Sequence, residues 1–215
     1  MIIAIDGPAG SGKSTVAKLL AQDLELELLD TGAMYRAFAI AAMREGIGED
    51  DPQLVENLIP QITIGFTEDN PKHVKLNGED ISDQIRSLEV SQLASQLSAI
   101  SCVRRAMVAS QQSIIKSGRW VLEGRDVTTV VAPQANLKIF LTASIEERAR
   151  RRWLEMKDMT SPPTLQAVVK EVVERDHRDY TRADSPLMLA EDALIIETFN
   201  LLPEEIVRKI GILAQ

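Results

Sequence analysis

The sequence predicts a doubly wound α/β fold, in which parallel strands form one sheet and crossover helices cover its faces. Two observations carry this. Short apolar runs of strand length alternate with longer segments whose apolar residues recur at helical spacing, and a glycine-rich loop separates the first run from the first helix. In order, Met1–Ile5 is a strand, Ser14–Leu24 a helix, Glu27–Leu29 a short strand, and Tyr35–Glu45 a helix that stops at Gly46. A different texture follows. Ile62–Phe66 and His73–Leu76 alternate as half-buried strands, and Asn77-Gly78 marks a hairpin turn before Glu79–Ile81; together they read as a small antiparallel insertion. Helical periodicity returns over Ile85–Lys116, breaks near Ser101 and ends at Gly118. Trp120–Glu123, Leu137–Thr142 and Ala193–Ile196 then read as strands, with helices at Ser144–Leu154, Leu165–Thr181 and Pro203–Leu213. In such a sheet, ligands gather at the carboxyl ends of the strands.

The loop points to a ligand class. Gly7-Pro8-Ala9-Gly10-Ser11-Gly12-Lys13-Ser14 completes the P-loop pattern G-x-x-x-x-G-K-[ST] directly after a strand and directly before a helix. Its glycines allow successive backbone N–H groups to face phosphate oxygens, and the helix adds the positive end of its dipole. The candidate ATP-binding residues are Gly7, Pro8, Ala9, Gly10, Ser11, Gly12, Lys13, Ser14 and Thr15. Lys13 is expected to reach the β- and γ-phosphates, and the Ser14 hydroxyl to be a ligand for Mg²⁺.

Composition narrows the partners. A chain of 215 residues suits one domain with small embellishments. Its 24 Lys and Arg against 32 Asp and Glu leave a net charge of −8, the opposite of what a non-specific nucleic-acid binder carries. No apolar stretch approaches the roughly 20 residues of a membrane span, and the first apolar run reads as a core strand because the P-loop follows at once. The expectation is a soluble, cytoplasmic enzyme without nucleic-acid or membrane partners. The single Cys102 cannot form an internal disulfide and reads as a small buried filler, and His73 and His177 alone offer no zinc-ligand spacing.

Arginine supplies the rest of the chemistry. The D-x-x-G and N-K-x-D elements of a GTPase are absent, as is an L-S-G-G-Q signature. Arg148, Arg151 and Arg152 fall at i, i+3 and i+4 on one helix face, and Arg175, Arg178, Asp179 and Arg182 share another. Arg36, Arg104 and Arg125 sit near element ends. A guanidinium fork matches phosphate oxygens and suits a transferring phosphoryl group, whose charge must be held from several sides. From spacing alone, surface helices laced with salt bridges explain the same arginines equally well. A phosphate monoester, with a second pKa near 6, needs cations more than a catalytic base, so many arginines without an evident catalytic histidine favour a phosphorylated acceptor. The many carboxylates keep a hydroxyl acceptor open.

Several spaced motifs go further. Leu29-Asp30-Thr31-Gly32-Ala33-Met34-Tyr35-Arg36, Gly124-Arg125-Asp126, Ser95 with Arg104, and Arg175-Asp176-His177-Arg178-Asp179-Tyr180-Thr181-Arg182 together resemble the bacterial cytidylate kinase family from Ile2 to about Lys209. The resemblance implies a P-loop NTPase fold with a five-stranded parallel sheet, a monophosphate-binding insertion at about 58–86 and a short lid at about 150–166. It implies a usually monomeric enzyme that uses ATP with Mg²⁺ to phosphorylate CMP and dCMP. By the same resemblance Thr31, Arg36, Arg125 and Arg182 bind the acceptor phosphate, with Tyr35 packing nearby, and Arg175 and Asp179 contact the ribose. Ser95, Arg104 and Asp126 recognise cytosine, whose N4 amino group a carboxylate can accept while O2 and N3 suit arginine. Arg148, Arg151 and Arg152 match lid arginines that, with Lys13, Arg125 and Arg182, form the catalytic set. Trp120 and Trp153 read as packing residues.

Two features depart from that pattern. Thr128 stands where a glycine is usual after Gly124-Arg125-Asp126-Val127, and a positive φ there would strain it. Glu123 replaces a common aspartate at the end of the preceding strand, where it either holds Mg²⁺ through water or caps loop amides. The other functions to weigh are a different small-molecule P-loop kinase and a nucleotide-binding regulatory module with slow turnover.

Overall fold

The computed structural model describes residues 1–67, 73–158 and 160–214. The tip of the expected insertion at 68–72 and position 159 of the expected lid lie outside the described residues. Two compact units make up the chain: Met1–Leu28 with Arg119–Gln215, and Leu29–Gly118.

The sheet is the one expected, five strands in the order β2-β6-β1-β7-β8. β1 (Ile2–Asp6) lies between β6 (Trp120–Glu123) and β7 (Leu137–Thr142), parallel to both, and β7 pairs in parallel with β8 (Leu194–Glu197). β2 (Glu27–Asp30) begins in the first unit, where the Glu27 N–H donates to the Arg119 carbonyl at 2.9 Å. Both faces of β1 are covered, so Ile3, Ala4 and Ile5 form an unbroken apolar run and not an alternating one. α1 (Lys13–Asp23) and α8 (Pro203–Leu213) bury Val16, Leu20, Ile206 and Ile210 with Ile3, Ile5, Val121 and Leu141 in one core. Pro203 at the first helical position and the Glu205 carboxylate on the Leu202 N–H, at 2.7 Å, start α8. Ser144 and Thr164 cap α6 (Ile145–Met156) and α7 (Leu165–Thr181), which pack on each other.

The second unit is built on α2 (Thr31–Arg44), nearly all apolar from Ala33 to Ala42 with Phe38 fully buried. α2 starts four residues earlier than the sequence suggested. The Asp30 carboxylate accepts from the Ala33 N–H at 2.8 Å and caps a helix that begins at Thr31. α3 (Pro52–Leu58) was not expected, although Asp51-Pro52 followed by Val55 and Leu58 is a helix-start signal with one buried face. The antiparallel insertion is present as β3 (Ile64–Phe66), β4 (Val74–Leu76) and β5 (Glu79–Asp80), and Asn77-Gly78 turns with positive φ at both residues. Arg44 at the end of α2 holds Glu79 through two 2.8 Å hydrogen bonds. The long helical stretch divides into α4 (Leu88–Leu97) and α5 (Ser101–Ile114), and Cys102 is half-buried, not fully buried as expected.

Candidate active site

The P-loop closes where β1 ends. At Gly7 an added Cβ would stand 2.0 Å from the Leu141 carbonyl oxygen, and at Gly10 2.7 Å from that of Arg148, so the loop lies against β7 and α6 with no room for a side chain. Gly12, left-handed at φ 91°, leads into α1, whose first turn carries no acidic residue. Its N–H groups and the dipole therefore favour an anion. Lys13 Nζ donates to the Pro8 carbonyl at 2.8 Å across the loop. Burial, together with Arg125 and Arg175, lowers the Lys13 pKa to about 7 in spite of Glu123 and Asp6.

The Ser14 hydroxyl donates to Glu123 Oε1 at 2.7 Å, joining the first turn of α1 to the end of β6. Two hard oxygens side by side beside a phosphate loop fit Mg²⁺, which keeps several waters and takes one or two protein oxygens with the phosphates. Among the described residues no group of three or more His, Cys, Asp or Glu forms a metal cage, which that mode of binding does not require.

Past β6 the chain enters an arginine–carboxylate knot, wholly within the first unit. Arg125 Nε donates to Asp179 Oδ2 at 2.8 Å, and Arg182 Nη1 to Asp179 Oδ1 at 3.2 Å. Arg182 Nη2 stands 3.9 Å from Asp126 Oδ1. Burial alone would raise the Asp179 carboxyl, but Arg125, Arg175 and Arg182 hold it below its usual range. Arg125 also feels Glu123 and Asp176, and the planar guanidinium forks gathered here match the oxygens of a phosphorylated ligand. The knot follows from helical spacing, because Arg175, Asp179 and Arg182 lie on one face of the end of α7.

The three arginines of α6 part ways. Arg148 is buried, donating to the Ala143 and Ala9 carbonyls, each at 3.0 Å, and pairing with Asp176 at 2.7 Å. Arg151 binds Glu147 at 2.8 Å, the Thr198 hydroxyl at 2.9 Å and the Thr198 carbonyl at 2.8 Å. Arg152 pairs with Glu171 at 2.7 Å. Arg151 borders an open cavity of 610 Å³ beside the P-loop, with Ser11, Gly12, Thr15, Phe199 and Asn200 among its walls.

The condition under which Thr128 would be strained is not met. Its φ is not positive, because Val127–Val131 forms a single π-helical turn in which Asp126 O accepts from the Val130 and Val131 N–H groups at 2.9 and 3.1 Å.

In the second unit, the predicted acceptor residues cluster at two places. Thr31 and Arg36 lie on the first turns of α2, where Arg36 pairs with Asp30 at 2.8 Å. Arg104, on α5, lies over the Tyr35 ring at 4.9 Å from its centroid, and its Nε donates to the Ser98 carbonyl at 2.9 Å. The Ser98 hydroxyl in turn donates to the Ser95 carbonyl at 2.9 Å, so Ser95 and Arg104 are tied through one residue.

Four residues escaped the sequence reading. Asp6 is buried and binds Val127 and Thr128, Asp30 holds α2 and Arg36, Asp176 neutralises Arg148, and Thr198 receives Arg151. Asp30 and Asp176 stand in motifs quoted above without a role of their own, and Asp6, Asp30 and Thr198 gave a further signal as polar residues at the ends of apolar strands where ligands gather.

Comparison with known proteins shows the family. A family model described as cytidylate kinase matches residues 3–215. A cytidylate kinase of Solibacter usitatus (strain Ellin6076) is 47% identical over 205 residues, covering 94% of this chain and 86% of the relative. One of Nitrosococcus oceani is 43% identical over 212 residues, covering 97% and 93%. Among solved structures, an uncharacterized protein from Eubacterium ventriosum ATCC 27560 superposes with a TM-score of 0.53 at 12% identity, covering 99% of this chain and 97% of that one, a likeness of fold alone. With a P-loop, an arginine knot and a family match over nearly its whole length, the chain belongs to the cytidylate kinase family.

Proposed function

We propose that the chain transfers the γ-phosphoryl group of ATP to CMP and dCMP, giving ADP with CDP or dCDP, as a cytoplasmic monomer. The observation that carries this reading is the knot of Arg125 and Arg182 around Asp126 and Asp179, with Arg175 acting on Asp179 electrostatically, in the same unit as the P-loop of a cytidylate kinase family member. No helix among the described residues is long and apolar enough to cross a membrane.

In this reading the residues from Gly7 to Thr15 hold the triphosphate, and Lys13 neutralises the β- and γ-oxygens as charge redistributes. Ser14, and Glu123 through water, would hold Mg²⁺, which would supply charge neutralisation at the triphosphate. A CMP phosphate oxygen attacks the γ-phosphorus, and the bond from that phosphorus to the β,γ-bridging oxygen breaks, its electrons leaving with ADP. Thr31, Arg36, Arg125 and Arg182 bind the acceptor phosphate, and Arg175 and Asp179 the ribose. Ser95, Arg104 and Asp126 read cytosine, with Tyr35 as the packing face. The cavity beside Arg151 takes the donor base. Segment 58–86 is the acceptor-binding insertion, and 150–166 is the lid; Arg151 and Arg152 within it, with Arg148 just before it, stabilise the transferring group.

A coupled assay of ADP release at equal concentrations of CMP, dCMP, UMP, AMP, GMP and shikimate tests the proposal. CMP and dCMP are expected to give the highest kcat/KM. A better hydroxyl acceptor would assign a different P-loop kinase activity, and turnover well below ~1 s⁻¹ on every acceptor would assign a regulatory module.

A further inference from the structure

The loop Gly124-Arg125-Asp126 is pinned from both sides by the end of β1. The Gly124 N–H donates to the Ile5 carbonyl at 3.0 Å. One residue on, the Asp6 carboxylate accepts from the Val127 N–H at 3.0 Å through Oδ1, and from the Thr128 N–H at 2.8 Å and the Thr128 hydroxyl at 2.5 Å through Oδ2. Asp6 is fully buried and Thr128 nearly so, which puts all three hydrogen bonds out of reach of competing water. Asp126, between these anchors, has its own carbonyl taken by Val130 and Val131. Its main chain thus has little freedom to swing its carboxylate past Arg182. The same Asp6 directly precedes Gly7, so one side chain stands at the root of the donor loop and grips the loop that carries Arg125 and Asp126.

We propose that Asp6, acting through the Thr128 hydroxyl, is the positioning residue that aims Arg125 and Asp126 at the acceptor nucleotide. This rests on the reading of those two residues as acceptor-binding. A hydroxyl at position 128 supplies the third bond to Asp6, which a side chain without a donor cannot make. Thr128 therefore contributes to acceptor affinity without touching the acceptor.

The test compares Thr128→Val, which keeps the shape and removes the hydroxyl, with Thr128→Ser, which keeps the hydroxyl, and with Asp126→Asn as a reporter of the acceptor site. Thr128→Val is expected to raise KM for CMP about three- to tenfold, the factor one hydrogen bond carries, with KM for ATP within about twofold of wild type. Thr128→Ser is expected to restore the wild-type KM for CMP. Asp6→Asn, which sets an amide N–H₂ or a weaker acceptor against the same donors, is expected to exceed the effect of Thr128→Val on CMP. A residue that only supported the fold would lower Tm in Thr128→Val and leave the ratio of the two KM values where it was. If Asp126→Asn moves KM for CMP and Thr128→Val does not, the positioning role is overturned alone. If neither moves it, the acceptor reading falls and the positioning role with it.

Discussion

Ser14 and Glu123 share a 2.7 Å hydrogen bond that ties the first turn of the P-loop helix to the end of the neighbouring strand. Hydroxyl and carboxylate hold one another in the place where a divalent cation would meet the triphosphate. Glu123→Gln keeps the shape and removes the charge, so the Mg²⁺ concentration for half-maximal activity is expected to rise about tenfold, as for other groups that orient a metal ligand. Ser14→Ala should raise it further. A magnesium titration of initial rates checks both; an unshifted midpoint in Glu123→Gln would leave that residue with the capping role alone.

Arg148 and Asp176 form a buried pair under the P-loop, with Arg148 also on the Ala9 carbonyl. Taking away one partner strands the other, so Asp176→Ala is expected to lower the unfolding free energy by about 3–5 kcal/mol. Arg148→Met with Asp176→Leu should lose much less than the two single changes added together. Urea denaturation of the four proteins gives the coupling, and additive losses would show that the pair does not act as a unit.

Burial outweighs three hydrogen bonds at Asp6 and raises its carboxyl to about 6. In the unfolded chain the group has its ordinary pKa near 3.9. Between those values the folded state holds the proton more tightly, so this contribution to stability is present in acid and is lost as pH rises through about 6. The Tm of the wild type relative to Asp6→Asn is therefore expected to be more favourable at pH 5 than at pH 7.5. An equal offset at the two pH values would contradict it.

The parts of the molecule legible in the sequence were those with a local cause. The P-loop is a contiguous pattern, the hairpin at Asn77-Gly78 needs two positive φ values, and Ser144, Thr164 and Pro203 mark helix starts within a few residues of the periodic pattern. What was missed depends on partners far along the chain. Asp6 meets Thr128 across more than a hundred residues, and Arg151 meets Thr198 only because α6 and the end of β8 fold onto the P-loop. Arg148, Arg151 and Arg152 show the limit of spacing: it put them on one helix, but only packing gave each a different partner. Whether position 128 needs a positive φ could not be read from the sequence, because it depends on the π-helical turn over Val127–Val131 and on the distant Asp6 that binds Thr128.

The most direct test of the account is the ratio of kcat/KM for CMP to that for UMP, in the wild type and in Asp126→Asn and Arg104→Ala. Cytosine offers an N4 amino donor where uracil offers an acceptor, so a carboxylate should attract one base and repel the other, whereas an amide can turn to serve both. Asp126→Asn is expected to lower kcat/KM for CMP and to narrow the CMP/UMP ratio by an amount on the order of 1–3 kcal/mol. Arg104→Ala should weaken both pyrimidines more evenly, because O2 is common to them. An unchanged CMP/UMP ratio in Asp126→Asn would remove Asp126 from the base site and contradict the account of how this protein selects its acceptor.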